Sequence, residues 1–132
     1  MNRLTACLIL LLPVGLWISP YFMRARPRGS MMKCSSNLKN LATALRMYAQ
    51  DNQGHYPERL QQLLPGNYFK LLPTCPATGS MTFTDYRAAT NPDRFSFSCV
   101  GDNHSKLYHR SSPNYPRCDS TWGLQEPFHL ED

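Results

Sequence analysis

The chain has few charged residues, and its positive charge is not gathered on one surface. Charged side chains make up 17% of the 132 residues, and the net charge is +5. Four of the fourteen lysines and arginines flank one apolar segment (Arg3, Arg24, Arg26 and Arg28), which leaves ten basic against nine acidic residues from position 29 onward. A nucleic-acid-binding protein needs a concentrated basic face. We therefore expect no nucleic acid as a partner.

Internal repeats are also absent, and the length limits the size of any folded unit. A chain of 132 residues accommodates one domain with an appendage, but not two cores. Eleven prolines indicate many loops, whereas seven tyrosines and six phenylalanines argue against wholesale disorder. We expect three regions: an N-terminal anchor over 1–29, a folded head over 30–104, and an irregular C-terminal tail over 105–132.

The longest stretch without charge runs from Leu4 to Met23. A helix of about twenty apolar residues matches the hydrocarbon core of a bilayer, and Trp17 and Tyr21 suit its interface. The sequence therefore predicts a single, uncleaved transmembrane helix, with the membrane as a partner. One alternative is a signal peptide cleaved just after the run. Another is a lipoprotein modified at Cys7, although the apolar region of a lipoprotein precedes its cysteine.

An amphipathic helix is expected to begin near Cys34. Apolar side chains recur from there at the helical period, and polar side chains take the opposite face. Gly54 suits the left-handed position just past a helix end. We predict that this helix packs on the core of the head. The packing residues are Leu38, Leu41, Ala42, Leu45 and Tyr48.

Shorter elements follow the helix. Pro57 suits the first turn of a short second helix. Two later runs, 82–87 and 94–100, bracket a turn-rich segment, and in the second run Phe95, Phe97 and Cys99 alternate with serines, as in a half-buried strand. The expected fold class is α+β: an N-terminal membrane helix continues into an amphipathic helix packed on a small antiparallel β-sheet.

Four cysteines lie outside the apolar run: Cys34, Cys75, Cys99 and Cys118. An even number in a small chain indicates disulfides and an oxidising compartment. Cys75 precedes the first predicted strand and Cys99 ends the second, so a hairpin would bring them together. We favour the disulfide Cys75–Cys99, with Cys34–Cys118 as a weaker second pair.

A zinc site is the main alternative use of these residues. It would draw on Cys75, Cys99, Cys118 and either His104 or His109. Structural zinc sites favour closely spaced ligand pairs of the CxxC kind. The chain has no such pair, so no metal site is predicted.

Two further kinds of site are weaker. A nucleophilic Cys99 with His104 and Asp102 has no strained elbow or oxyanion motif beside it, and a disulfide would remove its thiolate. The oxygens of residues 101–103 suit calcium, but a turn explains the same residues. We therefore predict no catalytic residue, no cofactor and no enzyme activity.

Several short motifs of the segment 34–76 occur together in one family. They include Ala44-Leu45-Arg46-Met47-Tyr48, Asp51-Asn52, Tyr56-Pro57, Leu63-Leu64 and Leu72-Pro73. This set resembles the type IV pilin-like proteins, and most of all the major pseudopilin of type II secretion. The likeness covers residues 8 to 104. It implies a pilin-like head in which a helix, half in a membrane, lies under a small β-sheet.

The resemblance also implies a function. Such a chain is a subunit of a secretion or pilus-type filament, and its partners are other pilin-like subunits. It is anchored in the inner or plasma membrane, and its head lies in the periplasm or outside the cell. The family's cleavage site is a glycine after a basic leader, with a glutamate five positions on. Here Gly15 lacks that leader, and Pro20 occupies the glutamate's place. The alternative is a permanently anchored, exported binding domain that does not polymerise.

Overall fold

The computed structural model of the protein describes residues 29–91, 93–104 and 113–126. Over these residues one long helix, α1, covers 29–51 and lies against a four-stranded antiparallel sheet. A short 3-10 helix, Leu60–Leu63, lies between them in sequence. The predicted α+β class, with a helix packed on an antiparallel sheet, is confirmed.

The sheet is a meander in which each strand pairs with its neighbour in sequence. Its strands are β1 (Arg87–Ala89), β2 (Arg94–Ser98), β3 (Arg117–Asp119) and β4 (Gly123–Gln125), in the order β1-β2-β3-β4. The register places Ala88 opposite Phe95, Phe97 opposite Cys118, and Cys118 opposite Leu124. β2 therefore lies in the middle of the sheet, and its alternating side chains face the core.

One stripe of α1 lies in the core. The side chains of Leu38, Leu41 and Leu45 are fully buried, Ala42 is buried as well, and Tyr48 packs partly buried against the same core. These are the residues that the helical period indicated. The helix buries them because apolar positions three and four residues apart share one face.

The helix ends where the sequence predicts. Gln53 and Gly54 both have positive φ, at 59° and 91°, and the Gly54 N–H donates to the carbonyl of Ala49 at 2.7 Å. Left-handed residues close a helix by satisfying its last carbonyls in this way. Glycine adopts this conformation without the strain that a Cβ would add.

The hairpin differs in detail from its prediction. β1 begins at Arg87 rather than at Thr82, and β2 ends at Ser98. The reason is Asp85, whose carboxylate accepts a hydrogen bond from the Ser98 N–H at 2.8 Å and another from the Ser98 hydroxyl. A side chain thus takes the donor that a strand partner would otherwise use.

The tail expected to be irregular contains two strands. β3 and β4 both lie beyond residue 104, and Cys118 of β3 is buried in the core. The folded head therefore includes 113–126 as well as the range up to 104. Strands of three residues are too short to show an alternating pattern, so the sequence does not mark them.

The predicted membrane topology is corrected. No helix within 29–91, 93–104 and 113–126 is both long enough and apolar enough to cross a membrane. α1 is long, but its exposed face carries Lys33, Lys39 and Arg46. On this finding the predicted transmembrane helix is wrong, and so is the single-pass localisation with a periplasmic or extracellular head. The run from Leu4 to Met23, on which the prediction rested, lies outside the described residues.

Candidate functional site

Three cysteines and one histidine meet beneath α1. Cys34 lies on the helix, Cys75 in the loop after the 3-10 helix, and Cys99 directly after β2, with His104 five residues later. Their sulfur and nitrogen atoms all lie within 4.8 Å of one another. The three cysteines have no exposed surface, and His104 is 3% exposed. Segments distant in sequence therefore place four metal-binding side chains in one buried space, which we call the thiol–imidazole cluster.

The helix is tied to the loop that carries Cys75. The Asn37 side-chain amide donates to the carbonyl of Thr74 at 3.0 Å. Asn37 is one helical turn beyond Cys34, and Thr74 directly precedes Cys75. This hydrogen bond therefore places the two cysteines beside each other.

A tight turn holds Cys75 itself. Its N–H donates to the Ser80 carbonyl at 2.8 Å, and its carbonyl accepts from the Gly79 N–H at 2.7 Å. Gly79 has a φ of 71°, in the left-handed region. Because the backbone groups of Cys75 are paired within this turn, its side chain is held towards α1.

A second turn returns His104 to Cys99. The Cys99 N–H donates to the Pro116 carbonyl at 2.9 Å, which fixes Cys99 beside β3. The Asn103 amide donates to the carbonyl of Val100 at 2.9 Å and so closes the turn. His104 Nε2 then lies 3.5 Å from the sulfur of Cys75 and 3.7 Å from that of Cys99.

The environment of Cys99 favours its thiolate. Hydrogen bonds from the Cys34 thiol, from His104, from the Thr82 hydroxyl and from the Asn103 amide lower the pKa of Cys99, in that order, while burial opposes them. The Thr82 oxygen lies 3.1 Å from the sulfur. The pKa of Cys34 is raised, first by its hydrogen bond to Cys99 and then by burial. The cluster thus stabilises negative charge on one sulfur while a neighbouring thiol keeps its proton.

Cys118 is separate from the cluster, although it is equally buried. It lies in β3, and burial raises its pKa to about 11. All four cysteines among the described residues are free thiols. The disulfides Cys75–Cys99 and Cys34–Cys118 stay predictions; the first joins two members of the cluster, whereas the second joins a member to a cysteine outside it.

The zinc site that the sequence suggests as an alternative has a partly different set of ligands. Cys75, Cys99 and His104 are present in the cluster, but Cys34 takes the place assigned to Cys118, and His109 lies outside the described residues. The signal that could have identified Cys34 is its position on the stripe of Leu38 and Leu41. A cysteine on the buried face of the helix must point into the head.

The other two chemistries find less support in the geometry. Asp102 is exposed and is not a member of the cluster, and the buried sulfur of Cys99 has no surface for a substrate to reach. In the turn at 101–103, the Asn103 side-chain amide donates to the Val100 carbonyl at 2.9 Å, as expected of a turn, and the Gly101 N–H donates to the Asn114 side-chain oxygen at 2.8 Å. The cluster itself can do two things: bind a cation through its sulfur and nitrogen atoms, or join two of its sulfurs.

No protein-family model, curated protein or solved structure matches the chain.

Proposed function

We propose that the chain is a pilin-like, non-catalytic subunit of a secretion or pilus-type filament. Its partners are then other pilin-like subunits. The observation that carries the proposal is the division of α1 into two faces, one sealed by the sheet and one open along its whole length from 29 to 51. In a filament of this kind, helices of neighbouring subunits pack side by side.

The open face of α1 carries two large apolar side chains. Met32 is 73% exposed and Met47 is 49% exposed. Helical periodicity places both on one stripe with Ser36, Lys39 and Thr43, on the side opposite the buried stripe. Ser36 and Thr43 are small and leave room for a second helix, the aliphatic stem of Lys39 can lie along its surface, and the unbranched methionine side chains adapt to it.

The motif residues that carry the family resemblance join the helix to the head. The Tyr68 hydroxyl donates to Asp51 at 2.7 Å, and the Tyr56 ring meets Phe95 edge-on at 4.9 Å. The carbonyl of Pro57 accepts a hydrogen bond from a tyrosine hydroxyl of the head at 2.7 Å. These contacts support the proposal because they give the motif a structural role: it holds the segment after α1 against the sheet and ties the end of α1 to a neighbouring loop.

Site-specific photocrosslinking tests the proposal. A benzophenone amino acid replaces Met47 in the full chain, expressed in its own cells, and the matched control places the same group at Trp122, which is 79% exposed and follows β3 on the sheet. Both positions are exposed, so the fold tolerates either change. Irradiation of the Met47 variant should give a ladder of crosslinked pilin-like subunits, and the Trp122 variant should give little.

Two outcomes would contradict the proposal. If neither the Met47 nor the Trp122 variant forms crosslinks to another subunit, the result favours the non-polymerising binding domain. Equal crosslinking from Met47 and Trp122 would show that contact between chains is not directed by α1.

A further inference from the structure

We infer that Cys34, Cys75, Cys99 and His104 together hold one structural zinc ion. The sequence alone predicted no metal site, because the ligands are not grouped along the chain. This inference does not depend on the proposed function, since a zinc-stabilised head suits a filament subunit and a monomer equally well.

The separations of the donor atoms fit a tetrahedral zinc site. Zinc binds cysteine sulfur at about 2.3 Å and histidine nitrogen at about 2.0–2.1 Å, so adjacent sulfur and nitrogen ligands lie about 3.5 Å apart. The distances from His104 Nε2 to the sulfurs of Cys75 and Cys99 are 3.5 and 3.7 Å. All four donor atoms lie within 4.8 Å of one another. Small rotations of the side chains therefore suffice to surround an ion.

The number of donors favours a metal over a disulfide. The cluster contains three sulfurs, so any one disulfide within it leaves a buried thiol and a buried imidazole behind. The fourth free cysteine, Cys118, is not within the group and does not complete a second pair with the remainder. A Cys₃His set uses all four side chains at once and is an established structural zinc combination.

His104 is poorly satisfied as an ordinary core residue. Its Nε2 faces sulfur atoms, and its buried Nδ1 has no hydrogen-bond partner among the described residues. Buried polar atoms are paired in the great majority of cases. A metal ion would bind Nε2, the ring nitrogen that points into the cluster, together with the sulfurs that it now contacts, and would leave Nδ1 as it is.

The site is closed, which indicates a structural and not a catalytic ion. Four protein ligands fill the tetrahedral positions, and catalytic zinc sites keep one position for water or substrate. Thr82 and Asn103 approach the sulfur of Cys99 at 3.1 and 3.5 Å. Polar groups in this position orient a metal ligand and offset the negative charge of thiolates.

Metal analysis of the full chain tests the inference. The chain is purified under reducing conditions without chelator, and its zinc content is measured by elemental mass spectrometry. We expect about one zinc per chain. Cys99→Ser and His104→Ala should each reduce the content at least tenfold, whereas the matched control Cys118→Ser, also a buried cysteine, should retain it.

Cobalt substitution tests the site in the unmodified chain, so a variant that fails to fold does not decide the matter. The zinc-free chain titrated with Co²⁺ should develop the intense visible bands of tetrahedral coordination and a near-ultraviolet sulfur-to-cobalt band. Weak octahedral bands would overturn the inference. Stoichiometric iron in place of zinc would also overturn the inference, and so would an equal loss of zinc in Cys118→Ser. A metal-free chain whose measured mass is lower by the hydrogens lost when one disulfide forms would overturn it as well.

Discussion

Removal of the zinc ion is expected to cost the head a large part of its stability. The ion joins Cys34 to Cys75 across roughly 40 residues and Cys75 to Cys99 across roughly 25, and the chain-entropy model of a crosslink values such ties at roughly 4 and 3.5 kcal/mol. Their sum of about 7 kcal/mol is comparable with the whole stability of a small domain, about 5–15 kcal/mol. The zinc-free chain should therefore lie close to its unfolding threshold.

Urea denaturation followed by circular dichroism measures this effect. With a slope of about 1–3 kcal/mol per molar urea for a small domain, the expected loss moves the midpoint down by at least about 2 M or abolishes the cooperative transition. The experiment is done in reducing buffer with and without a strong zinc chelator. Cys118→Ser should respond to the chelator as the unmodified chain does, and Cys99→Ser should not respond further.

One result would refute the crosslink reasoning. If elemental analysis shows that the chelator has removed the ion while the midpoint in urea is unchanged, the cluster does not hold the three segments together. An equal response of Cys99→Ser to the chelator would likewise show that the chelator acts elsewhere.

Three further predictions concern the head, each measured as the free energy of unfolding in urea. Phe95→Ala removes a buried ring that contacts Tyr56 and should cost about 3–5 kcal/mol. Its control, Leu71→Ala, changes a 78% exposed position and should alter stability by less than about 0.5 kcal/mol. Similar losses of stability at both positions would refute the assigned core. Gly54→Ala should cost about 1 kcal/mol because φ is 91° there. The control Gly29→Ala, within α1, should leave stability unchanged or raise it. A Gly54→Ala chain of unchanged stability would contradict the assigned helix end. Tyr86→Phe removes the hydroxyl bonded to the Pro57 carbonyl and should cost about 1 kcal/mol. Burial raises the pKa of Tyr86 above its ordinary value, so its stabilisation is present below about pH 10 and is lost at higher pH, and the Phe variant should lack that part of the alkaline loss.

The helix and the central strand could be predicted because their signals are local. The stripe through Leu38 and Leu45 repeats over several turns, and Gly54 marks its end within the same stretch of sequence. The alternation of Phe95 and Phe97 likewise identifies β2 without reference to any other strand. Each pattern arises from the geometry of one element.

The remaining strands and the site depend on contacts between distant residues. β3 and β4 have three residues each, so the hydrogen bonds to β2 define them, not a pattern of their own. The predicted pairing of Cys75 with Cys99 depends on a hairpin that begins at residue 82, whereas β1 begins at Arg87 and the Asp85 side chain binds the Ser98 N–H. The partner of Cys75 on the helix is set by the bond from Asn37 to Thr74, which no sequence spacing reveals.

The position of α1 before every strand has a consequence for synthesis of the chain. The helix is translated before the sheet. The last strand, β4, ends at Gln125, and the ribosome, at about 5–20 residues per second, needs roughly 4–15 s for the roughly 75 residues between position 51 and this point. Until β2 is complete at Ser98, the stripe containing Leu38 and Leu41 has no sheet to pack on, and from then until Gln125 only part of its cover is present. The nascent helix is therefore a binding site for chaperones that recognise apolar surface, and it remains one until the last hairpin leaves the ribosome.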